Sequence, residues 1–103
     1  MNSTTERRWT TAAADEIDWR VWDGDVVARV VLSGSTYLLG ETASAAFTQL
    51  STADRPLSVE ELAERLFADV RDKSEQTRHE TSRALEALLA DLHSLNLARP
   101  SAP

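Results

Sequence analysis

Residues 17–39 read IDWRVWDGDVVARVVLSGSTYLL, and the order of apolar and polar side chains in this run decides the fold. Ile17, Trp19 and Val21 fall on one face of an extended chain, with Asp18, Arg20 and Trp22 on the other, the period of two that marks a half-buried strand. Asp23-Gly24 favours a two-residue type I′ turn, which places Trp22 opposite Asp25. That register sets Val21 against Val26, Trp19 against Ala28 and Ile17 against Val30 on the apolar face. On the other face Asp18 meets Arg29, an opposite-charge cross-strand pair. A second turn is expected at Ser33-Gly34 or Gly34-Ser35. Either two-residue loop leaves Tyr37 and Leu39 on the face of Val30, because the two registers differ by an even number of residues; a three-residue loop would invert the faces. A third strand, Ser35 to Leu39, follows.

Beyond Gly40 the period changes. Thr42 is placed to cap a helix running through Leu50, with Ala43, Ala46, Phe47 and Leu50 on one side. Ser51 to Leu57 reads as a loop. Ser58-Val59-Glu60-Glu61 has capping-box spacing and opens a second helix to about Val70, whose apolar stripe is Val59, Leu62, Ala63, Leu66, Phe67 and Val70. Arg71 to Ser74 interrupts it. A long helix from about Glu75 to Leu95 is expected to bury Thr77, Thr81, Ala84, Leu85, Leu88, Leu92 and Leu95. The predicted class is α+β, a three-stranded antiparallel meander whose apolar face is covered by three helices, in the order βββααα. With 103 residues there is room for one domain. Residues 1–14, MNSTTERRWTTAAA, show no period and are expected to form a flexible arm. The domain proper is expected over 15–98, and 99–103, with two prolines, as a flexible tail.

Composition removes several functions. Lys and Arg number 11 against 17 Asp and Glu, a formal net charge of −6, so the whole-protein field repels phosphate backbones and anionic lipid. The absence of Cys excludes disulfides, thiolate metal sites and a cysteine nucleophile. Three Gly cannot build a phosphate cradle, and there is no H-E-x-x-H, G-x-S-x-G or P-loop pattern. His79 and His93 fall on the solvent side of the last helix, too far apart to share a metal, so no metal and no cofactor is expected. No apolar run reaches the roughly 20 residues of a membrane span, and a soluble cytoplasmic protein is the expectation. Function should lie in binding, and the chain is expected not to be an enzyme. The last two helices resemble a helix-turn-helix, so a winged-helix DNA-binding regulator is the alternative. Against it, Arg78 and Arg83 are the only bases of the long helix and stand among Glu75, Glu80, Glu86 and Asp91.

In a meander the first and third strands are edges. The first carries Asp18, Arg20 and Asp23, whereas Ser35 to Leu39 carries neither charge nor proline, leaving its outer backbone groups open. Three readings compete at this point: the arm or a helix covers the edge, two copies pair through it as a weak homodimer, or a peptide adds to it as a further strand. On the long helix, with Leu88 taken as the centre of the buried stripe, Leu85 lies at about 60° and Leu89 at about 100°, widening the apolar arc toward one flank. Arg78, Ser82 and His93 continue that flank. Beside the strand it would wall a groove; equally, Leu89 is ordinary core, and which flank faces the strand is open.

The runs WRVWDGDVVARVVLSGSTYLLGETASAAFTQL, LSVEELAERL and ALEALLADLHSLNLARP resemble the PqqD-like family, peptide chaperones also called RiPP recognition elements. The resemblance covers residues 17–99. It is nearest to the type found beside an HPr-kinase-related protein, in the W-R start, the S-G turn and the T-x-L-L strand. It implies a winged-helix-like fold without catalytic activity. It also implies a leader of a ribosomally synthesised precursor peptide, bound as an antiparallel strand on the third strand against the third helix and presented to a modifying enzyme or kinase-related partner. The docking strand is then Ser35, Thr36, Tyr37, Leu38 and Leu39, and the helix wall Arg78, Ser82, Leu85, Leu89 and His93. Pro is common after the strand in relatives, as in L-N-P, where Gly40-Glu41 stands here; this departure touches the helix start and not the groove.

Overall fold

The structure, a computed structural model, describes residues 7–68 and 75–101. In chain order the elements are β1 (Arg8–Thr11), β2 (Ile17–Trp22), β3 (Asp25–Val30), β4 (Thr36–Leu38), α1 (Glu41–Thr52), β5 (Leu57–Ser58), α2 (Val59–Leu66), α3 (Glu75–Ser94) and β6 (Ala98–Ser101). The strands form two three-stranded antiparallel sheets, ordered β2-β3-β4 and β5-β1-β6, so the fold is α+β.

The β2–β3 hairpin has the register its turn dictates, from Trp22 opposite Asp25 to Ile17 opposite Val30. Asp23 and Gly24 take φ of 56° and 87°, the two left-handed residues of a type I′ turn. Asp18 and Arg29 form the expected pair, at 3.3 Å. The second hairpin corrects the expected loop: Val30 donates to Ser35 and Gly34 donates to Val30, each at 2.8 Å, so residues 31–34 form a four-residue connection instead of a two-residue one. Four is also even. Tyr37 therefore still pairs with Ala28, and the apolar face continues into β4.

The helices differ from expectation mainly at their ends. Gly40, not Thr42, is the N-cap of α1, which runs on to Thr52 and leaves Thr42 inside its first turn. The capping box of α2 forms as read: Ser58 Oγ accepts from Glu61 N–H at 3.1 Å and Glu61 Oε1 accepts from Ser58 N–H at 3.0 Å. This helix ends at Leu66, with Phe67 as its C-cap; Val70 and the expected break at residues 71–74 lie outside the described residues. On α3 the buried residues are Leu85, Leu89 and Leu92, while Leu88 and Leu95 are half-buried and Ala84 is exposed. The expected stripe is thus rotated toward Leu89. Past α3, Leu97 donates to Leu92 at 2.9 Å and Asn96 to His93 at 3.0 Å, with Asn96 at φ 67°, a left-handed stop that turns the chain into β6.

The second sheet overturns two expectations. Arg8–Thr11, assigned to a flexible arm, is the central strand, and Ala98–Ser101, read largely as a flexible tail, is its neighbour. Trp9 is what holds them: its side chain is 4% exposed, opposite Leu57 on one side and Pro100 on the other. Burial of one indole outweighs the weak local pattern. Pro100 has no N–H to offer a further strand, which suits an edge. Arg99 pairs with Glu16, and Ala12 donates to Leu97 at 3.2 Å, closing the sheet onto the start of β2. The expectations for residues 1–6 and 102–103 lie outside the described residues.

Candidate functional site

β4 forms one border of its sheet, and among the described residues no strand pairs with its outer side. Leu39 donates to Val26 at 2.9 Å, and Val30 donates to Ser35 at 2.8 Å. Residues 35, 37 and 39 therefore turn their main-chain groups toward β3. By the alternation of an antiparallel ladder, Thr36 and Leu38 turn their N–H and C=O groups outward. Arg8–Thr11 is engaged in the other sheet and does not cover this border. The side chains alternate as well: Leu39 is buried, Tyr37 half-buried, and Thr36 and Leu38 exposed, Leu38 by 69%.

The end of this border is fixed by a side chain that hydrophobic patterning passes over. Ser44 of α1 is buried; its Oγ accepts from Val26 N–H at 2.8 Å and donates to the Leu39 carbonyl at 3.0 Å. α1 is thereby pinned to the last rung of the ladder. Its first turn brings Thr42 to a cleft of about 350 Å³, completed by Phe67 and by Glu80, Thr81, Ala84, Leu85 and Leu88 of α3. From the end of the strand border the chain thus runs through Gly40 and Glu41 to Thr42, at a mainly apolar recess walled by the longest helix.

The five helix residues singled out from sequence do not share one wall. Leu89 is 0% exposed and Leu85 2%, both in the core, although Leu85 also floors the cleft. Arg78 is exposed and Ser82 half-buried. His93 lies on the opposite flank, edge-on to Trp9 with ring centres 6.1 Å apart, and borders a second recess of about 810 Å³ with Arg7, Glu60, Glu86 and Ala90. The flank that faces the cleft beside Thr42 is Thr81, Ala84 and Leu88. A helical projection centred on Leu85, Leu89 and Leu92 gives this flank; centring on Leu88 instead puts the buried Leu85 and Leu89 on the widened side.

The ion pairs at the start of α2 serve structure. Glu61 accepts from Arg55 at 2.7 Å and Arg8 at 2.8 Å as well as from Ser58 N–H. The Arg55 guanidinium and then the Ser58 N–H hold its carboxyl at a pKa of about 2, well below the usual 4.5. Among the described residues no three His, Cys, Asp or Glu side chains are grouped to hold a metal, and no helix is long and apolar enough to cross a membrane.

No family model matches the chain, and no curated protein matches it. Among solved structures, that of TbiB1 in complex with the TbiA(beta) leader peptide superposes with a TM-score of 0.70. The sequences are 21% identical, and the match covers 89% of this chain and 99% of that one. The likeness establishes a shared fold.

Proposed function

We propose that the chain is a RiPP recognition element: it binds the leader of a ribosomally synthesised precursor peptide as an added antiparallel strand at β4 and presents it to a modifying enzyme, catalysing nothing itself. The observation that carries this reading is the pair of outward-facing backbone units, Thr36 and Leu38, on a border with no strand beside it among the described residues. The fold shared with a protein solved around a leader peptide supports it. Backbone bonds to Thr36 and Leu38 give generic affinity and fix direction. Selectivity then falls to the recess between Thr42 and Leu88, where an apolar leader side chain displaces water from Thr81, Ala84 and Leu88.

The finer likeness to the type that accompanies an HPr-kinase-related protein makes a kinase-related enzyme the expected partner. The cytoplasm, where precursor peptides are made, is the expected compartment. A DNA-binding regulator is not favoured: the described α3 carries Glu75, Glu80, Glu86 and Asp91 against Arg78 and Arg83, and phosphate contacts require the reverse balance. Calorimetry with the leader of a precursor encoded beside this gene tests the proposal, with duplex DNA at low and high salt as the comparison. Saturable binding of one leader per chain is the expected result. Salt-sensitive binding of the duplex, with none of the leader, would replace this reading by the other.

A further inference from the structure

The opposite border of the same sheet is a second surface, independent of β4. β2 is buried only at Ile17; from Asp18 to Trp22 every residue is exposed, Val21 by 59% and Trp22 by 73%. Trp19 packs edge-on against Phe47, ring centres 5.0 Å apart, yet 38% of its surface faces solvent. Among the described residues no strand pairs with the outer side of β2, and exposed apolar side chains on an edge strand are a feature sheet proteins ordinarily suppress. The turn at Asp23-Gly24 makes Trp22 and Asp25 a hydrogen-bonded pair. Asp18, Arg20 and Trp22 therefore bond β3, and Ile17, Trp19 and Val21 aim their N–H and C=O groups away from the sheet.

We infer that β2 joins two copies of this chain, strand against antiparallel strand, about a two-fold axis at Trp19. Outward-facing residues can pair only with outward-facing residues, which leaves registers centred on Asp18, Trp19 or Arg20; larger offsets lose paired residues. Centring on Asp18 sets carboxylate against carboxylate, and centring on Arg20 sets guanidinium against guanidinium. Centring on Trp19 instead places Asp18 opposite Arg20 of the second copy and Arg20 opposite its Asp18. In the same register Ile17 meets Val21, and the two indoles lie side by side on the apolar face. Arg29, 3.3 Å from Asp18, extends the row into alternating charge. The charges that guard this edge against other strands make it complementary to itself. The junction produces a continuous sheet with a β4 border at each end, so both copies keep their peptide-binding edge. This differs from self-pairing through β4, which would consume that edge.

Sedimentation equilibrium of the full chain from about 5 µM to about 500 µM tests the inference, and a reversible monomer–dimer equilibrium is expected. Arg20→Asp creates two Asp–Asp contacts and Asp18→Arg two Arg–Arg contacts; each variant alone weakens association by at least about tenfold. An equimolar mixture of the two variants restores it as a heterodimer, because every contact is again complementary. Val21→Pro removes an outward N–H without touching the β3 ladder and should also yield monomer. Because Asp18 also pairs with Arg29, Arg20→Asp against Arg20→Lys decides the matter if Asp18→Arg does not fold. A wild-type chain that stays monomeric throughout, or an Arg20→Asp chain that dimerises as well as wild type, overturns the inference.

Discussion

The hydroxyl of Ser44 stands 2.8 Å from the backbone nitrogen of Val26 and accepts its proton, taking the place of a main-chain carbonyl at the end of the β3–β4 ladder. The same oxygen donates onward to Leu39 at 3.0 Å. One alcohol thus joins a helix to β3 and to the end of the border strand.

Ser44→Ala leaves the Val26 N–H buried without that partner. A buried donor stripped of its acceptor costs about 1–3 kcal/mol, and urea unfolding monitored by tryptophan fluorescence should show a loss in that range.

Glu61 ties β1, the loop before β5 and the start of α2 through Arg8, Arg55 and Ser58. Its pKa is held at about 2 in the folded chain against an ordinary 4.5, so folding is favoured by the ionised form. That contribution is fully present above the ordinary value and disappears as pH falls toward the folded one. Thermal melts should therefore show Glu61→Gln less stable than wild type near pH 7, with the gap closing between about pH 4.5 and pH 2. Removing the cap itself with Ser58→Ala should cost about 1 kcal/mol.

Core and cleft separate on adjacent residues of α3. Leu89 has no exposed surface, and Leu89→Ala should lower stability by about 2–5 kcal/mol through the cavity it leaves. Leu88 is half-buried on the cleft wall, so Leu88→Ala should cost less stability than Leu89→Ala, yet weaken leader binding by about 1 kcal/mol or more. Paired unfolding and calorimetric titrations of both variants check this ordering.

Much of the architecture was legible because its determinants are local. The Asp23-Gly24 turn fixes the whole β2–β3 register. Parity alone kept Tyr37 and Leu39 on the apolar face even though the second loop has four residues where two were expected. The capping box at Ser58 likewise needs only its own turn. What escaped detection depends on distant partners. Arg8–Thr11 is a strand because Leu57 and Pro100 flank Trp9 across the fold, and four residues with one large apolar side chain carry no period. The uncharged strand border could be read from composition, whereas the cleft could not: Leu85, Leu88 and Leu89 are equally apolar, and only packing decides which is core.

Proline placement distinguishes the two sides of β4. The N–H of Leu38 faces outward and that of Tyr37 faces β3, so Leu38→Pro should fold with near wild-type stability and lose leader binding by at least about tenfold. Tyr37→Pro breaks the ladder and should destabilise the domain itself. Circular dichroism and calorimetry on the two variants read this contrast.

Amide hydrogen exchange, followed residue by residue with and without saturating leader peptide, bears most directly on strand addition at β4. The amides of Thr36 and Leu38 should exchange fast in the free chain and become protected in the complex, while those of Tyr37 and Leu39 stay protected in both. Leader binding that leaves the Thr36 and Leu38 amides in fast exchange would contradict a peptide strand seated on that border.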